Sequence, residues 1–311
     1  MELLVLGCGS AIPKVGRNPT AQLLMFPNAH YLIDCAEGTQ LRLLEEKIRP
    51  KFLKAIFISH LHGDHYLGLM GLLWSLDLGG RRAPLTLISP TGLSEILKVQ
   101  LDQANSNFSF EINHNEIEAE TTTRIYEDQH LDVRCFPLKH GVPCFGYRFE
   151  EKLGRRRFRK DVVTDFNLSP EQIHSALANK PVYDNAGKLV DSELLFMPES
   201  EPSSYSYCTD TLAADFVVDD LRDSTVLYHE ATYTHDLVDK AESRFHSTAK
   251  QAAQVAKTAN VGQLVIGHYS SRYDNPAPLL EEAKEVFPNS VAAEDGLRVP
   301  IRTTVIQPDS N

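Results

Sequence analysis

The sequence predicts an α/β fold in which helices cover β-sheets. Short runs of β-branched or aromatic residues, typical of strands, alternate along the 311 residues with longer runs that have apolar residues at helical spacing. Predicted strands are LLVLG, HYLID, AIFIS, LTLIS, DVRCFPL, CFGYRF, SYSYC, TVLYH and LVIGH. Predicted helices are TQLRLLEEK, LGLMGLLWSLDL, LSEILKVQLDQA, STAKQAAQVAKTA and PLLEEAKEVF. Such elements indicate a layered sandwich, because each sheet must bury its apolar faces.

Residues 150–195 differ from the rest of the chain. Charged residues become frequent there and the apolar periodicity weakens. We predict one short helix in it, starting at Ser169-Pro170, because Ser is a favoured N-cap and Pro a favoured first helical residue. The sequence therefore predicts one domain over residues 1–311 with an insertion that projects from it.

Composition narrows the class of protein. The five cysteines are scattered without a C-x-x-C pair, so we predict reduced, buried thiols rather than disulfides or a zinc ribbon. No apolar stretch approaches the roughly 20 residues that span a bilayer. MELLVLGCGS lacks the basic start of a signal peptide, and its apolar run is too short, so we expect a cytoplasmic protein. A net charge of −11 disfavours nonspecific nucleic-acid binding, although a local basic patch stays possible.

The stretch SHLHGDH, residues 59–65, is dense in side chains that bind metals. It contains His60, His62, Asp64 and His65 directly behind a predicted strand. Residues two apart point in nearly opposite directions on a helix, so these side chains converge only if the segment is a loop. We expect Gly63 to permit a tight turn there. The alternative, ordinary exposed polar residues, explains the density less well.

Three distant residues follow other predicted strands in the same way: His140, Asp210 and His268. Strand ends at one edge of a sheet converge, so the seven residues predict a two-metal site. Five imidazoles and two carboxylates suit zinc, with manganese or iron as alternatives. We expect one ion at His60, His62 and His140, and the other at Asp64, His65 and His268. Asp210 can bridge them, since a carboxylate has two oxygens.

These residues carry a family resemblance. The H-x-H-x-D-H pattern with a distant His, Asp and His resembles the metallo-β-lactamase superfamily. FISHLHGDHYLGLMGLL, LIDCAEGTQ, YHEATY, FHSTAKQAA and GHYSSRY together resemble the ribonuclease Z family, which processes the 3′ ends of transfer RNA. The resemblance spans nearly the whole chain and implies a metallo-β-lactamase-type αββα sandwich. It also implies a homodimer in which the arm of one subunit presents precursor tRNA to the metals of the other.

The resemblance implies catalytic roles for three residues. Asp64 would hold or accept the proton of the attacking water, although the residues alone indicate mainly a ligand. His246 is the expected general acid, because an imidazole titrates near neutrality. Glu230 would hydrogen-bond its other ring nitrogen and fix the tautomer. Without the resemblance, the last two residues also fit a surface ion pair.

Other residues are candidates for contacts around the site. Ser270 and Arg272 follow the proposed ligand His268, where a guanidinium could clamp a phosphate, or they form a packed turn. Asp34 and Glu37 are either partners of metal-bound histidines or merely a turn and a helix-start carboxylate.

The insertion contains the basic run GRRRFRK, residues 154–160. We predict that it is a tRNA-binding arm that contacts phosphates away from the cleavage point, the alternative being a solvated loop. Its candidate contacts are Arg155, Arg156, Arg157, Arg159 and Lys160. The Gly-Pro element of family arms is replaced here by Ser169-Pro170, which leaves the manner of tRNA binding open.

Two other functions compete with endonucleolytic removal of a tRNA 3′ trailer. One is hydrolysis of small phosphodiesters, such as cyclic nucleotides, because hydrolases of many esters share the superfamily pattern. The other is a catalytically silent metal-binding module that serves as an RNA scaffold. A complete ligand set together with Glu230 and His246 argues against the silent module.

Overall fold

The structure is a computed structural model that describes residues 1–152, 159–178, 180–184, 187–196, 202–213 and 215–302. Within this part, the chain divides into a catalytic unit, residues 1–150 and 203–302, and an arm unit, residues 151–202. The arm unit begins one residue after the start of the predicted insertion and ends seven residues after its end. The predicted role of this unit in tRNA binding stays a prediction.

The first sheet of the catalytic unit holds seven strands among the described residues. In spatial order they are β16 (Arg298–Pro300), β1 (Glu2–Gly7), β2 (Ala21–Phe26), β3 (Ala29–Ile33), β4 (Leu53–Phe57), β5 (Leu85–Pro90) and β6 (Ile112–Ile117). The strands from β16 to β3 pair antiparallel, and those from β3 to β6 pair parallel.

The second sheet, in the same described part, also holds seven strands. Their order is β15 (Ser290–Ala292), β14 (Gln263–Gly267), β13 (Val226–Glu230), β12 (Ser204–Cys208), β9 (Phe145–Glu151), β8 (Leu131–Pro137) and β7 (Thr123–Glu127). The strands from β12 to β15 are parallel, so their carboxyl ends lie at one edge of the sheet.

Helices cover both sheets of the catalytic unit. They are α1 (Thr39–Glu45), α2 (Gly63–Tyr66), α3 (Leu69–Leu78), α4 (Leu93–Gln103), α8 (Val218–Leu221), α9 (Val238–Ser243), α10 (Ala249–Thr258) and α11 (Ala277–Val286). Short 3-10 helices span Pro50–Phe52, Asp215–Val217 and His235–Leu237. Among the described residues, none of the helices is long and apolar enough to cross a membrane.

Alternate residues of the central strands explain the layers. In β1, Leu3 and Val5 enter the core between the sheets, whereas Leu4 and Leu6 pack under α1, α3 and α4. Both faces of such a strand are buried, which is why its sequence is continuously apolar. Helices α8, α10 and α11 cover the second sheet. The layer order is thus helix, sheet, sheet, helix, and the predicted αββα sandwich is confirmed.

The arm unit has its own small core. It contains α5 (Lys160–Asp165), α6 (Pro170–Leu177), α7 (Ser192–Leu195) and the hairpin of β10 (Val182–Tyr183) with β11 (Leu189–Val190). Ser169 and Gln172 form a capping box at α6, so the predicted helix start is confirmed. Leu168, Ala176 and Phe196 belong to its buried apolar cluster. Although the apolar periodicity of this segment is weak, its short elements therefore form a common core.

Several strands escaped prediction. β2 lacks β-branched residues, yet it pairs with both β1 and β3 and is buried throughout. β6 and β7 are polar because they lie at sheet edges, where one side of the strand is unpaired. The prediction for the cysteines is confirmed, since all five are free and buried.

Asp128 links the two sheets in the β7–β8 turn. It accepts hydrogen bonds from the hydroxyls of Tyr31 in β3, at 2.5 Å, and of Tyr126, at 3.0 Å. The backbone N–H groups of His130 and Leu131 donate to it at 2.7 and 2.9 Å. Partial burial opposes ionisation, but these four donors outweigh it and lower the pKa of Asp128.

We expect Asp128→Asn to lower the free energy of unfolding at pH 7 by about 1–2 kcal/mol, because four donors lose a charged acceptor. A carboxyl whose pKa is lowered by folding stabilises the protein above its unfolded pKa of about 3.9, and this contribution disappears as the pH falls through the folded pKa. Urea unfolding from pH 7 to pH 3 should thus show the variant and wild type converging. Asp102→Asn, at an exposed position of α4, is the control. A pH-independent difference would contradict the prediction.

Candidate metal centre

Strand ends from both sheets supply the candidate site. His60 follows β4 of the first sheet, while Asp210 follows β12 and His268 follows β14 of the second. Glu230 ends β13 and pairs in register with Gly267, so it lies beside His268. The fold thus brings together residues that are more than 200 positions apart in sequence.

The first predicted ligand group converges closely. His60 Nε2 and His140 Nε2 each lie 3.1 Å from His62 Nδ1. Asp210 Oδ2 is 3.7 Å from His60 Nε2 and 3.8 Å from His140 Nε2. One ligand atom from each of the four residues lies within 4.8 Å of the others.

The second predicted group also converges. Asp64 Oδ2 lies 3.5 Å from both His65 Nε2 and His268 Nε2. Asp210 Oδ1 is 3.6 Å from His65 Nε2 and 3.2 Å from His268 Nε2. The two oxygens of Asp210 therefore face different groups, as a bridging carboxylate requires.

The donor set fits divalent cations. The Nε2 atoms of His65 and His268 are buried and, within the described residues, have no hydrogen-bond partner. Buried polar atoms without a partner are costly unless something else compensates them. Both atoms face the oxygens of Asp64 and Asp210, and imidazole nitrogens with carboxylate oxygens are common ligands of zinc. A His/Asp cluster able to bind metal is therefore present.

Oxygen atoms hold the far ring nitrogens of four of these histidines. Ser59 Oγ lies 3.0 Å from His60 Nδ1, Asp34 Oδ2 lies 2.7 Å from His65 Nδ1, Phe245 O lies 3.1 Å from His140 Nδ1, and Thr232 Oγ1 lies 3.0 Å from His268 Nδ1. Such contacts fix the tautomer and the ring orientation of metal-binding histidines. His62 differs because its Nδ1 itself faces the site.

Asp34 is the most connected of these supports. It is fully buried and accepts from the Ser59 backbone N–H at 2.7 Å, the Ser59 hydroxyl at 2.8 Å and the Tyr207 hydroxyl at 2.7 Å, besides facing His65. Its φ of 56° lies in the left-handed region. The sequence allowed Asp34 to be either the partner of a candidate ligand histidine or merely a turn residue. Its contacts agree with the first interpretation. Glu37 is exposed.

Glu230 and His246 form the expected pair. Glu230 is buried, and its Oε1 lies 3.0 Å from His246 Nδ1. The hydroxyl of Thr232 donates to Glu230 Oε2 at 2.7 Å, so the carboxylate also supports the contact to His268. One ring nitrogen of His246 lies within 4.8 Å of ligand atoms of Asp210 and His268. These three residues form a third group that could hold a metal ion.

The charges of the site reinforce one another. Burial disfavours the imidazolium of His246, but the Glu230 carboxylate and its hydrogen bond raise the pKa of His246 to about 9. Burial also disfavours ionised Asp64 and Asp210, yet the neighbouring histidines lower the pKa of both. The carboxylates are thus ionised near neutral pH.

One expectation about the histidine-rich stretch is wrong. His60 to His62 form a loop, but α2 begins at Gly63, so Asp64 and His65 lie on a short helical turn. Gly63 is not among the glycines with positive φ. The backbone thus turns before Gly63, and convergence results from the change between loop and helix rather than from a left-handed glycine.

The remaining predicted contacts lie in different surroundings. Arg272 is exposed, donates to Ser270 Oγ at 3.2 Å and lies 5.2 Å from the Tyr233 ring centroid. In the arm, Arg159 pairs with Asp161 at 2.7 Å, and Lys160 begins α5. Arg155, Arg156 and Arg157 lie outside the described residues.

The sequence did not lead us to predict the hydroxyl groups that hydrogen-bond around the candidate ligands. Ser59 and Thr232 lie within the motifs SHLHGDH and YHEATY, next to candidate ligands, and that adjacency was the available signal. Tyr207 belongs to β12, in which every residue is buried, so the sequence marks it only as core. Its contact with Asp34 is set by the approach of the two sheets.

Comparisons with known proteins place this geometry. Residues 30–182 match the family model described as "Beta-lactamase superfamily domain". Ribonuclease Z of Bacteroides fragilis (strain YCH46) is 36% identical over 300 residues, which cover 96% of this chain and 99% of the relative. Ribonuclease Z of Cytophaga hutchinsonii is 37% identical over 297 residues, covering 95% and 94%. The crystal structure of human tRNase Z, short form, has a TM-score of 0.71 at 24% identity and covers 97% of this chain and 100% of its own.

The fold and the paired ligand groups define a protein of the metallo-β-lactamase superfamily. Within it, the near-complete match to several bacterial relatives is decisive, since identity of 36% extends across both units. The chain belongs to the ribonuclease Z family.

We expect Asp34→Asn to weaken divalent-metal binding by about 10- to 100-fold, because the carboxylate no longer fixes His65. The measurement is competition of the protein with a chromogenic chelator for Zn²⁺. Tyr207→Phe, which removes only one donor to Asp34, is the matched control and should have a smaller effect. Unchanged affinity in Asp34→Asn, with the variant folded, would contradict this support role.

Proposed function

We propose that the protein is a metal-dependent endoribonuclease that removes the 3′ trailer from precursor tRNA. Hydrolysis would leave a 3′-hydroxyl on the tRNA and a 5′-phosphate on the trailer. Membership of the ribonuclease Z family, together with two ligand groups that share Asp210, supports this function.

We infer that each subunit holds two Zn²⁺ ions. The first would bind His60, His62 and His140, the second Asp64, His65 and His268, with Asp210 shared; these lists follow the two observed groups. When bound, such ions lower the pKa of water towards neutrality and offset negative charge on a phosphate. Their identity is measurable by elemental analysis of purified protein.

The catalytic roles of the chain itself follow from the contacts around the cluster. The Asp64 carboxylate faces the same space as the ligands and can accept a hydrogen bond from the attacking water. His246 protonates the departing 3′ oxygen, which leaves poorly as an alkoxide. Glu230 holds His246 Nδ1 at 3.0 Å and so directs the other ring nitrogen away from itself, available for that transfer.

Recognition of the long substrate requires residues beyond the cluster. Arg272, positioned by Ser270, can contact a phosphate near the site. Arg155, Arg156, Arg157, Arg159 and Lys160 of the basic run would contact phosphates of the tRNA body. We also propose a cytoplasmic homodimer in which one subunit's arm serves the other's site, testable by sedimentation.

The direct test incubates purified protein with end-labelled precursor tRNA that carries a 3′ trailer, with and without a chelator. We expect cleavage at the tRNA 3′ end, a 3′-hydroxyl on the tRNA, and loss of activity that Zn²⁺ restores. Cleavage that resists complete metal removal would contradict the proposed chemistry.

Replacing the arm separates tRNA processing from hydrolysis of small esters. Glu150 and Ser204 lie opposite each other in the antiparallel β9–β12 pair, so a short turn can replace residues 152–202. We expect this variant to lose precursor cleavage while it hydrolyses bis(p-nitrophenyl) phosphate at a near wild-type rate. Equal loss of both activities in the folded variant would count against arm-mediated recognition.

We expect His246→Ala to lower kcat on precursor tRNA by about 10²- to 10⁴-fold, because the leaving oxygen loses its proton donor. Bis(p-nitrophenyl) phosphate has a leaving group that departs unprotonated, so its hydrolysis should change little. Metal content should stay at the wild-type value. Loss of metal together with both activities would instead identify His246 as a ligand.

A further inference from the structure

Phe245, immediately before His246, has an unusual backbone and an unusual exposure. Its φ is 57°, in the left-handed region that bulky residues seldom adopt. Its side chain is 39% exposed, whereas most aromatic residues of the catalytic unit are buried. Its ring centroid lies 6.5 Å from that of His140, at the edge of the candidate metal centre.

The backbone of Phe245 has a structural explanation, but its side chain does not. The carbonyl lies 3.1 Å from His140 Nδ1, and the N–H donates to Glu242 O at 3.1 Å. Glycine or asparagine would provide the same backbone contacts with less strain. An exposed aromatic ring at this position therefore indicates a contact with a molecule outside the chain.

Cations lie beside Tyr233, whose ring neighbours that of His246. The ring of Tyr233 is 6.2 Å from the His246 ring and only 5% exposed. Arg272 Cζ and Lys240 Nζ lie 5.2 and 5.8 Å from the Tyr233 centroid. The positive charge of Arg272, followed by weaker effects of burial and of Arg244, lowers the pKa of Lys240, so Lys240 lies within electrostatic reach of both arginines.

These cations form no salt bridges within the described residues. Across the described ranges, no salt bridge joins Lys240, Arg244 or Arg272 to an acidic residue. By contrast, exposed arginines such as Arg124 and Arg298 do have acidic partners. A group of cations without salt-bridge partners, on a protein of net charge −11, is suited to a polyanion.

We propose that Phe245 and the cations Lys240, Arg244 and Arg272 bind the single-stranded RNA next to the scissile phosphate, Phe245 by stacking on a base and the cations on phosphates. This inference rests on the proposed function and locates part of its substrate recognition on the catalytic unit, apart from the arm. Stacking on aromatic side chains combined with cationic contacts is how proteins grip single strands.

The position of His246 decides which side of the cleaved bond is bound. His246 delivers its proton to the 3′ oxygen of the last tRNA nucleotide, so that nucleotide lies beside it. Phe245 adjoins His246 in the chain, and Lys240 and Arg272 lie beside its neighbour Tyr233. The subsite therefore takes the last nucleotides of the mature tRNA rather than the trailer.

The first test compares Phe245→Ala, Phe245→Leu and Phe245→Trp on an intact precursor and on one that is abasic at the last tRNA nucleotide. We expect kcat/KM on the intact precursor to fall roughly 10- to 100-fold in the Ala and Leu variants and to be retained in Trp. On the abasic precursor all four proteins should be alike. If Phe245→Ala lowered kcat/KM equally on both precursors, stacking on this base would be overturned. If the effect disappeared only with a precursor that is abasic at the first trailer nucleotide, the assignment of the subsite to the tRNA side of the cleaved bond would be overturned.

A fluorescence readout makes this test independent of turnover. With 2-aminopurine as the last tRNA nucleotide, stacking on an aromatic ring quenches fluorescence. Stopped-flow mixing with wild type and Phe245→Trp should give quenching before cleavage, and Phe245→Ala should not. Equal quenching by Phe245→Ala would contradict the contact.

The second test removes charge with Lys240→Met and Arg244→Met together. The slope of log(kcat/KM) against log salt for the precursor should become shallower by roughly 0.7 for each lost phosphate contact. Lys257→Met, at the far end of α10, removes an exposed charge and should leave the slope unchanged. An unchanged slope in the double variant would overturn the cationic part of the subsite.

The two proposals fail in distinguishable ways. Hydrolysis of bis(p-nitrophenyl) phosphate, which has no nucleobase, should remain near wild type in all these variants. Absence of precursor cleavage by the wild type would reject the proposed function itself. Normal wild-type cleavage with unaffected variants would reject only this subsite.

Discussion

The carboxylate of Asp210 is the group on which the centre depends. Its two oxygens face two clusters of imidazoles, and Asp210, His60, His65 and His268 are buried, so removing one of them leaves the others without compensation. Five imidazole rings and two carboxylates are stable so close together only when cations compensate their lone pairs and negative charges. Both sheets contribute to this arrangement, because the candidate ligands follow strand ends of each sheet.

Support for the ligands comes from backbone turns as much as from side chains. Asp34 and His268 have φ values of 56° and 58°, each just beyond a strand. A chain that leaves a strand in the left-handed conformation changes direction within one residue, and the side chains of these two residues lie at the site. This strain is sustained by dense hydrogen bonding, as in the contacts of Asp34 to Ser59 and Tyr207.

Local pattern predicted the convergence of the candidate ligands well but the residues that support them poorly. SHLHGDH and the residues after three strands identified the seven ligand-type side chains, because metal-binding residues are rare behind apolar runs. The predicted loop with a turn at Gly63 was wrong, because the first turn of a helix can direct Asp64 and His65 into the site as well as a loop can. Tyr207, Thr232 and Lys240 were missed, since their contacts join elements that sequence distance does not relate. β2 was missed because burial on both faces outweighed its modest strand propensity.

The arm leaves the sheet between Glu150 and Ser204, two residues that already face each other across neighbouring strands. A hairpin would close that gap with no change to the sheet, so the extra segment imposes no demand on the strands that carry the ligands. Its own buried cluster, with Leu168, Val182 and Leu195, makes it a separable module. Descendants of one ancestral hydrolase could therefore acquire, lose or exchange this appendage, and so change their choice of polymer, while the chemistry stayed intact.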